Sequence, residues 1–256
     1  MTGALIKGKH SGLYRINAKA VVLATGGIGA NAKLVQSLRP DISADVKTSN
    51  QPGSQGDGMV LAQKVGAAVV DAKEIQLNPT LLVGSPVIVS ETVRGAGAVF
   101  VNREGKRFIN EGLLCDYPMS YGSEQILLNA PWYGIVDQAY VDAMTTQGLY
   151  EYTTAKGATS ENWFIGNYFK GRILDNLPSD IEEGLKEGWL VKADTIEELG
   201  EKFGLTHLAE TVAKYNEYCE KGVDEQFGAN KWYLSPIKEG PFYAVQCEPS
   251  AWSTFG

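Results

Sequence analysis

At 256 residues, 44% of them hydrophobic, the chain has apolar material for one large core or two ordinary ones. A net charge of −7 with no basic run argues against a nucleic-acid partner, and no apolar stretch nears the roughly 20 residues that span a bilayer. Three separated cysteines (Cys115, Cys219, Cys247) suggest neither a disulfide framework nor a thiolate metal site, and two surface-type histidines (His10, His207) nearly exclude a His-ligated metal or a Ser-His-Asp machine.

No signal-peptide pattern opens the sequence. Residues 4–6 read as a strand, 13–17 as its return in a hairpin, and 20–24 (AVVLA) as a short buried strand running into Thr25-Gly26-Gly27. By itself that glycine pair is a tight turn. Residues 28–38 have helical character and are closed by Arg39-Pro40, whereas 48–58 (TSNQPGSQGDG) is loop by composition. Asp57 is expected as the N-cap of a helix over 59–65, where a carboxylate meets the positive helix end.

Residues 86–111 (PVIVSETVRGAGAVFVNREGKRFINE) concentrate charge and glycine. Val87 to Val89 form a short strand that presents Ser90, Glu91, Thr92 and Arg94, and Gly95-Ala96-Gly97 lets the backbone turn. A hairpin follows, with strands over 98–102 and 106–109 and a turn at Arg103-Glu104-Gly105. On spacing alone, Glu-x-x-Arg is a surface ion pair.

Farther on, residues 120–130 have helical periodicity, 132–136 form a strand, and Asp137 opens a helix ending near Gly148. Residues 150–161 lack apolar periodicity and read as loop. Pro178 begins a short helix that stops at Gly188, 189–192 is a strand, and Asp194-Thr195-x-x-Glu198 has the spacing of a capping box. Leu208, Val212, Tyr215 and Cys219 recur at helical spacing up to Gly222, first of all as core positions. A strand over 241–247 closes the regular structure. There is no internal repeat, no low-complexity linker and no GxGxxG.

The string SETVRGAGAVFVNREGKRFINE, together with AKAVVLATGG, TSNQPGSQGDG and TVAKYNEYCEKGVDEQFG, resembles the fumarate reductase flavoproteins, the soluble flavocytochrome c type in particular, over almost the whole chain. The resemblance implies an α+β fold: the capping domain of a two-domain FAD flavoprotein (residues 76–238) plus part of the FAD-binding domain (1–75), with 239–256 returning to it. FAD would meet Ala24, Thr25, Gly26 and Gly27, then Asn50, Gln51 and Asp57. The acidic end of GVDEQFG would cap a helix. Without GxGxxG, and with the last residues only beginning a flavin motif, the chain is expected to be an internal portion of a longer flavoprotein that binds FAD weakly or not at all by itself.

The chemistry implied is hydride transfer from reduced FAD to an activated alkene, with a proton delivered to the adjacent carbon. Glu91 and Arg94 match the family's proton relay, but the position of its proton-donating arginine is Cys115. Asn78 stands for an expected histidine, Ser90 for a threonine, and Trp252-Ser253 for a histidine pair. Most cations for a dicarboxylate are therefore gone, and the expected substrate is a small molecule other than fumarate. A bulkier enone or steroid-like substrate is the first alternative, a non-catalytic interaction domain the second. Electron donor and compartment stay open, bacterial cytoplasm and cell envelope both fitting.

Overall fold

The computed structural model describes residues 2–10, 12–82, 97–116, 122–159 and 169–251. By internal contacts they form two compact units, one comprising Met1–Gln76 with Ala251–Gly256 and the other Leu77–Ser250.

In the first unit, strands β1 (Gly3–Lys7) and β2 (Leu13–Asn17) pair antiparallel from Gly3 opposite Asn17 to Lys7 opposite Leu13, which is the expected hairpin. The stretch 20–24 corrects the expectation of a buried strand. It carries no strand, and Val22 is 87% exposed. A strand is defined by partners for its N–H and C=O groups, and among the described residues β1 and β2 satisfy only each other. Helix α1 (Ala32–Leu38) starts later than expected because the Asn31 side chain takes the N-cap, accepting from Leu34 N. Helix α2 (Asp57–Lys64) starts earlier. Its N-cap is Gly56 at φ +85°, so Asp57 is the first helical residue and not the cap.

The second unit is built on a sheet in the order β3 (Leu77–Leu82), β7 (Phe242–Ala251), β5 (Trp132–Asp137), β4 (Val99–Val101), with β6 (Leu190–Ala193) also paired to β7. The ladders β4–β5, β5–β7 and β6–β7 are antiparallel. Strict alternation puts Phe100, Trp132, Val136, Tyr243 and Val245 on one face and Val99, Val101, Tyr133, Ile135 and Ala244 on the other. Both faces are buried.

The first face is covered by α3 (Leu113–Asp116), α4 (Ser123–Leu128), α5 (Gln138–Thr146), α6 (Leu149–Thr154) and α7 (Leu177–Glu187), through Leu114, Ile126, Met144, Leu149 and Ile181 among others. The second is covered by α8 (Ile196–Phe203) and α9 (Leu208–Lys221), through Leu199, Leu208, Val212 and Tyr215. This mixture of helix and sheet agrees with the coarse expectation.

Several local signals act as written. Asp137 caps α5 by accepting from Tyr140 N, and its second oxygen accepts from Lys238 N and Glu239 N, tying the approach to β7 to the start of α5. Thr195 caps α8 by accepting from Glu198 N. The return arm of the box falls one residue early, with Glu198 accepting from Asp194 N.

Three other expectations need correction. Residues 150–154, within the stretch 150–161 read as loop, belong to α6, because Leu149 and Thr153, four apart, are both fully buried while the rest of the segment is polar enough to hide the period. The second hairpin strand shrinks to a bridge between Val101 and Arg107. Asp224 caps a turn and no helix: α9 has already ended at Gly222, and the carboxylate accepts from the N–H groups of Gln226, Phe227 and Ala229. The expected strand over 87–89 lies outside the described residues.

Candidate cofactor and active site

In the first unit two glycine-bearing segments close on each other. Gly56 N donates to Gly27 O at 3.0 Å and Ala30 N to Ser54 O at 2.9 Å, so the loop preceding α2 is laced to the segment around Thr25-Gly26-Gly27. The approach is tight enough that a Cβ placed on Gly58 would run into the Thr25 side chain.

Beside this seam lies a hollow of about 530 Å³, lined by residues that include Ala24, Thr25, Gly26 and Gly27. Alanines 62, 68 and 72 continue its wall, so a flat ring could approach the backbone closely. Among the described residues the only charged lining groups are the carboxylates of Asp71 and Glu74. Such a wall suits an uncharged ring system and hydroxyls that donate to carboxylates, and does not suit a pyrophosphate. The residues present therefore fit the flavin end of FAD.

Asn50, Gln51 and Asp57 are not among the lining residues. Asn50 Nδ2 donates to Thr48 Oγ1 and to Ala251 O, and Thr48 Oγ1 itself donates to Ala251 O at 2.9 Å. Asn50 thus ties the loop to the returning chain. Gln51 and Asp57 are exposed on the same loop and at the first residue of α2.

In the second unit Asn78 is buried in β3. Cys115 sits in α3, described there by its backbone alone. Glu91, Arg94, Ser90, Trp252 and Ser253 lie outside the described residues.

The sequence did not single out Arg107, whose guanidinium is fully buried. Its Nη2 lies 2.6 Å from Glu111 Oε2 and 2.9 Å from Asp224 Oδ2, its Nη1 2.9 Å from Asp224 Oδ1 and its Nε 2.9 Å from Glu111 Oε1. The Tyr215 and Phe227 rings pack on the same group at 5.3 and 5.1 Å. Burial alone would drive Arg107 toward neutrality, yet the two carboxylates raise its pKa above the usual value. Burial likewise opposes charge on Asp224, and the Arg107 contacts together with the N–H groups of Ala229 and Phe227 outweigh it, so that carboxyl is held below its ordinary 3.8. The available signal was a basic residue followed at i+4 by an acid inside an apolar string, a pattern also common on exposed helices.

Cys247 is fully buried and burial pushes its thiol far up; Cys219 is pushed up to about 11 for the same reason. Neither is poised as a nucleophile or acid at neutral pH.

Comparison with known proteins follows the same line. The family model described as "FAD binding domain" matches residues 1–256. A probable fumarate reductase of Shewanella frigidimarina is 33% identical over the whole chain, which spans 37% of that protein. A 3-oxosteroid 1-dehydrogenase of Mycolicibacterium smegmatis is 30% identical over 92% of the chain and 42% of its own length. Among solved structures, the open conformation of a flavocytochrome c3 fumarate reductase superposes with a TM-score of 0.62 at 33% identity, covering 98% of this chain and 38% of that one. The chain therefore spans well under half of these relatives, and over its own full length it belongs to the family of FAD-binding domains, with fumarate reductases of the flavocytochrome c type among its kin.

Proposed function

We propose that the chain is part of an FAD-dependent oxidoreductase that reduces an activated carbon–carbon double bond in a substrate other than fumarate. One observation carries the cofactor half of this reading: the hollow walled by Ala24, Thr25, Gly26 and Gly27, free of cations, in a chain that matches the FAD-binding family throughout. Residues 76–238 are then the capping domain, and Glu91 and Arg94 the proton relay. When bound, FAD supplies the hydride chemistry.

The chain's own task is to hold the alkene and deliver a proton. A thiol, whose reference pKa is about 8.5, can carry a proton at neutral pH, but at position 115 it offers no fixed positive charge to a carboxylate. Asn78 and Trp252 replace further cationic positions, so affinity for a dicarboxylate falls with proton delivery. A bulkier enone is the favoured alternative, because a 3-oxosteroid dehydrogenase is among the relatives and Trp252 adds apolar area.

The test is reoxidation of the reduced flavin in the complete polypeptide by fumarate beside aryl and cyclic enoates and enones. A panel substrate should turn over fastest, and Glu91→Gln should lower its kcat by about 10²-fold or more. Fumarate turning over fastest would overturn the proposal.

A further inference from the structure

Helix α3 is four residues long, far too short to hold a direction by its own hydrogen bonds. Its orientation must come from what it is attached to. Its first turn continues the segment before it: Leu113 N donates to Asn110 O at 3.1 Å and Leu114 N to Glu111 O at 3.2 Å. That segment is anchored at four points. Arg107 grips Glu111 and Asp224 together. Glu111 Oε1 also accepts from Phe100 N in β4 at 3.1 Å. Asn110 Nδ2 donates to Phe227 O at 3.4 Å. Gly112 lies so close to the Tyr233 ring that a Cβ there would come within 2.7 Å of it.

Asp224, for its part, is fixed by the three N–H groups it accepts from, so the turn after α9 is a rigid abutment. Leu114, fully buried, fixes the depth of α3 in the core. A single apolar anchor leaves rotation about itself open, and the ion cluster one residue upstream of Gly112 removes that freedom.

We propose that the buried Arg107–Glu111–Asp224 cluster is the positioning device for Cys115, fixing the course of the α3 backbone that carries that residue. These are positioning residues, and the assignment rests on the reading above that position 115 serves proton delivery. The cluster spans 117 positions of sequence between Arg107 and Asp224, so the turn after α9 and the proton-donor position are mechanically one piece.

The three cysteines provide the experiment. N-ethylmaleimide labelling of the chain at neutral pH, followed residue by residue by mass spectrometry, compares the parent with Asp224→Asn, which is isosteric. The Cys115 rate should shift by about tenfold or more in either direction, and by a factor different from that at Cys247, which is reached only by global opening and so reports the loss of overall stability. Arg107→Lys, which keeps the charge and loses the two-pronged grip, should shift Cys115 in the same sense. A Cys115 rate within about twofold of the parent in a folded variant would overturn the proposal, as would Cys115 and Cys247 changing by the same factor. In the complete polypeptide Asp224→Asn should lower kcat while leaving KM unchanged. A labelling shift with unchanged kcat would uphold the positioning device and overturn the role of position 115 in turnover, so the two failures are separable.

Discussion

Asp224 and Arg107 illustrate how little a buried charge contributes until a partner is taken away. Replacing both by apolar residues could leave stability unchanged, but removing one strands the other without water, at a cost of about 3–5 kcal/mol. Asp224→Asn, which keeps the shape and loses the charge, should destabilise by about 3 kcal/mol at neutral pH in urea melts. The pH dependence follows from the depressed pKa of Asp224. A group whose folded pKa is lowered contributes stability above its unfolded value, ordinarily 3.8, and loses it as the pH falls through the folded one. The stability gap between parent and Asp224→Asn should therefore be widest at neutral pH and narrow below about pH 4. A gap that stays constant into acid would mean the charge plays no part.

Between elements, the turn after β4 is a wedge. Gly105 takes φ +81°, and a Cβ there would sit 2.7 Å from the backbone nitrogen of Leu208. Glu104 O accepts from His207 N at 2.8 Å and Gly105 O from Thr211 Oγ1 at 2.6 Å, so the turn is seated against the first turn of α9. Gly105→Ala should cost about 2 kcal/mol or more, combining left-handed strain with a clash against backbone that cannot swing away, and equilibrium unfolding measures it. A neutral Gly105→Ala would place the turn elsewhere.

This turn was legible in the sequence, as were the caps at Asp137 and Thr195 and the apolar period of α9, because each depends on residues a few positions apart. What was hidden is non-local. Residues 20–24 look like a strand by composition, but pairing partners decide that. Helix α6 depends on just two buried positions. The grip of Arg107 on Asp224 joins strings that read separately as a hairpin and a cap. Ala24 to Gly27 line a hollow, whereas Asn50, expected beside them, is engaged with Thr48 and Ala251.

For the molecule as a whole, the two units differ in how much apolar surface they cover. Both large apolar clusters lie within Leu77–Ser250, whereas in the first unit Leu5, Leu13, Val22 and Val65 are about half exposed or more. Limited proteolysis should leave the 77–250 region intact and cut within 1–76. The reverse pattern would refute the assignment of stability to the larger unit. The hollow also makes a prediction about ligand. Lacking cations, it should bind riboflavin about as well as FAD, within about threefold, and hold neither through gel filtration. An FAD affinity more than about tenfold above that of riboflavin would show phosphate contacts in this chain.

The sheet order carries one more consequence. The larger unit begins with β3 and ends with β7, and these two strands are neighbours. The chain before Leu77 and after Ser250 belongs to the first unit, so to that unit the larger one is an insertion strung between two points of a single body. The entropy of closing a loop depends on the gap between its ends and only weakly on what is strung between them, about 0.6 kcal/mol per doubling of length. A body joined this way is an exchangeable cassette. It can be enlarged, reshaped or swapped with little disturbance to the first unit, and the chemistry that such a body presents can change while the scaffold it is strung on stays the same.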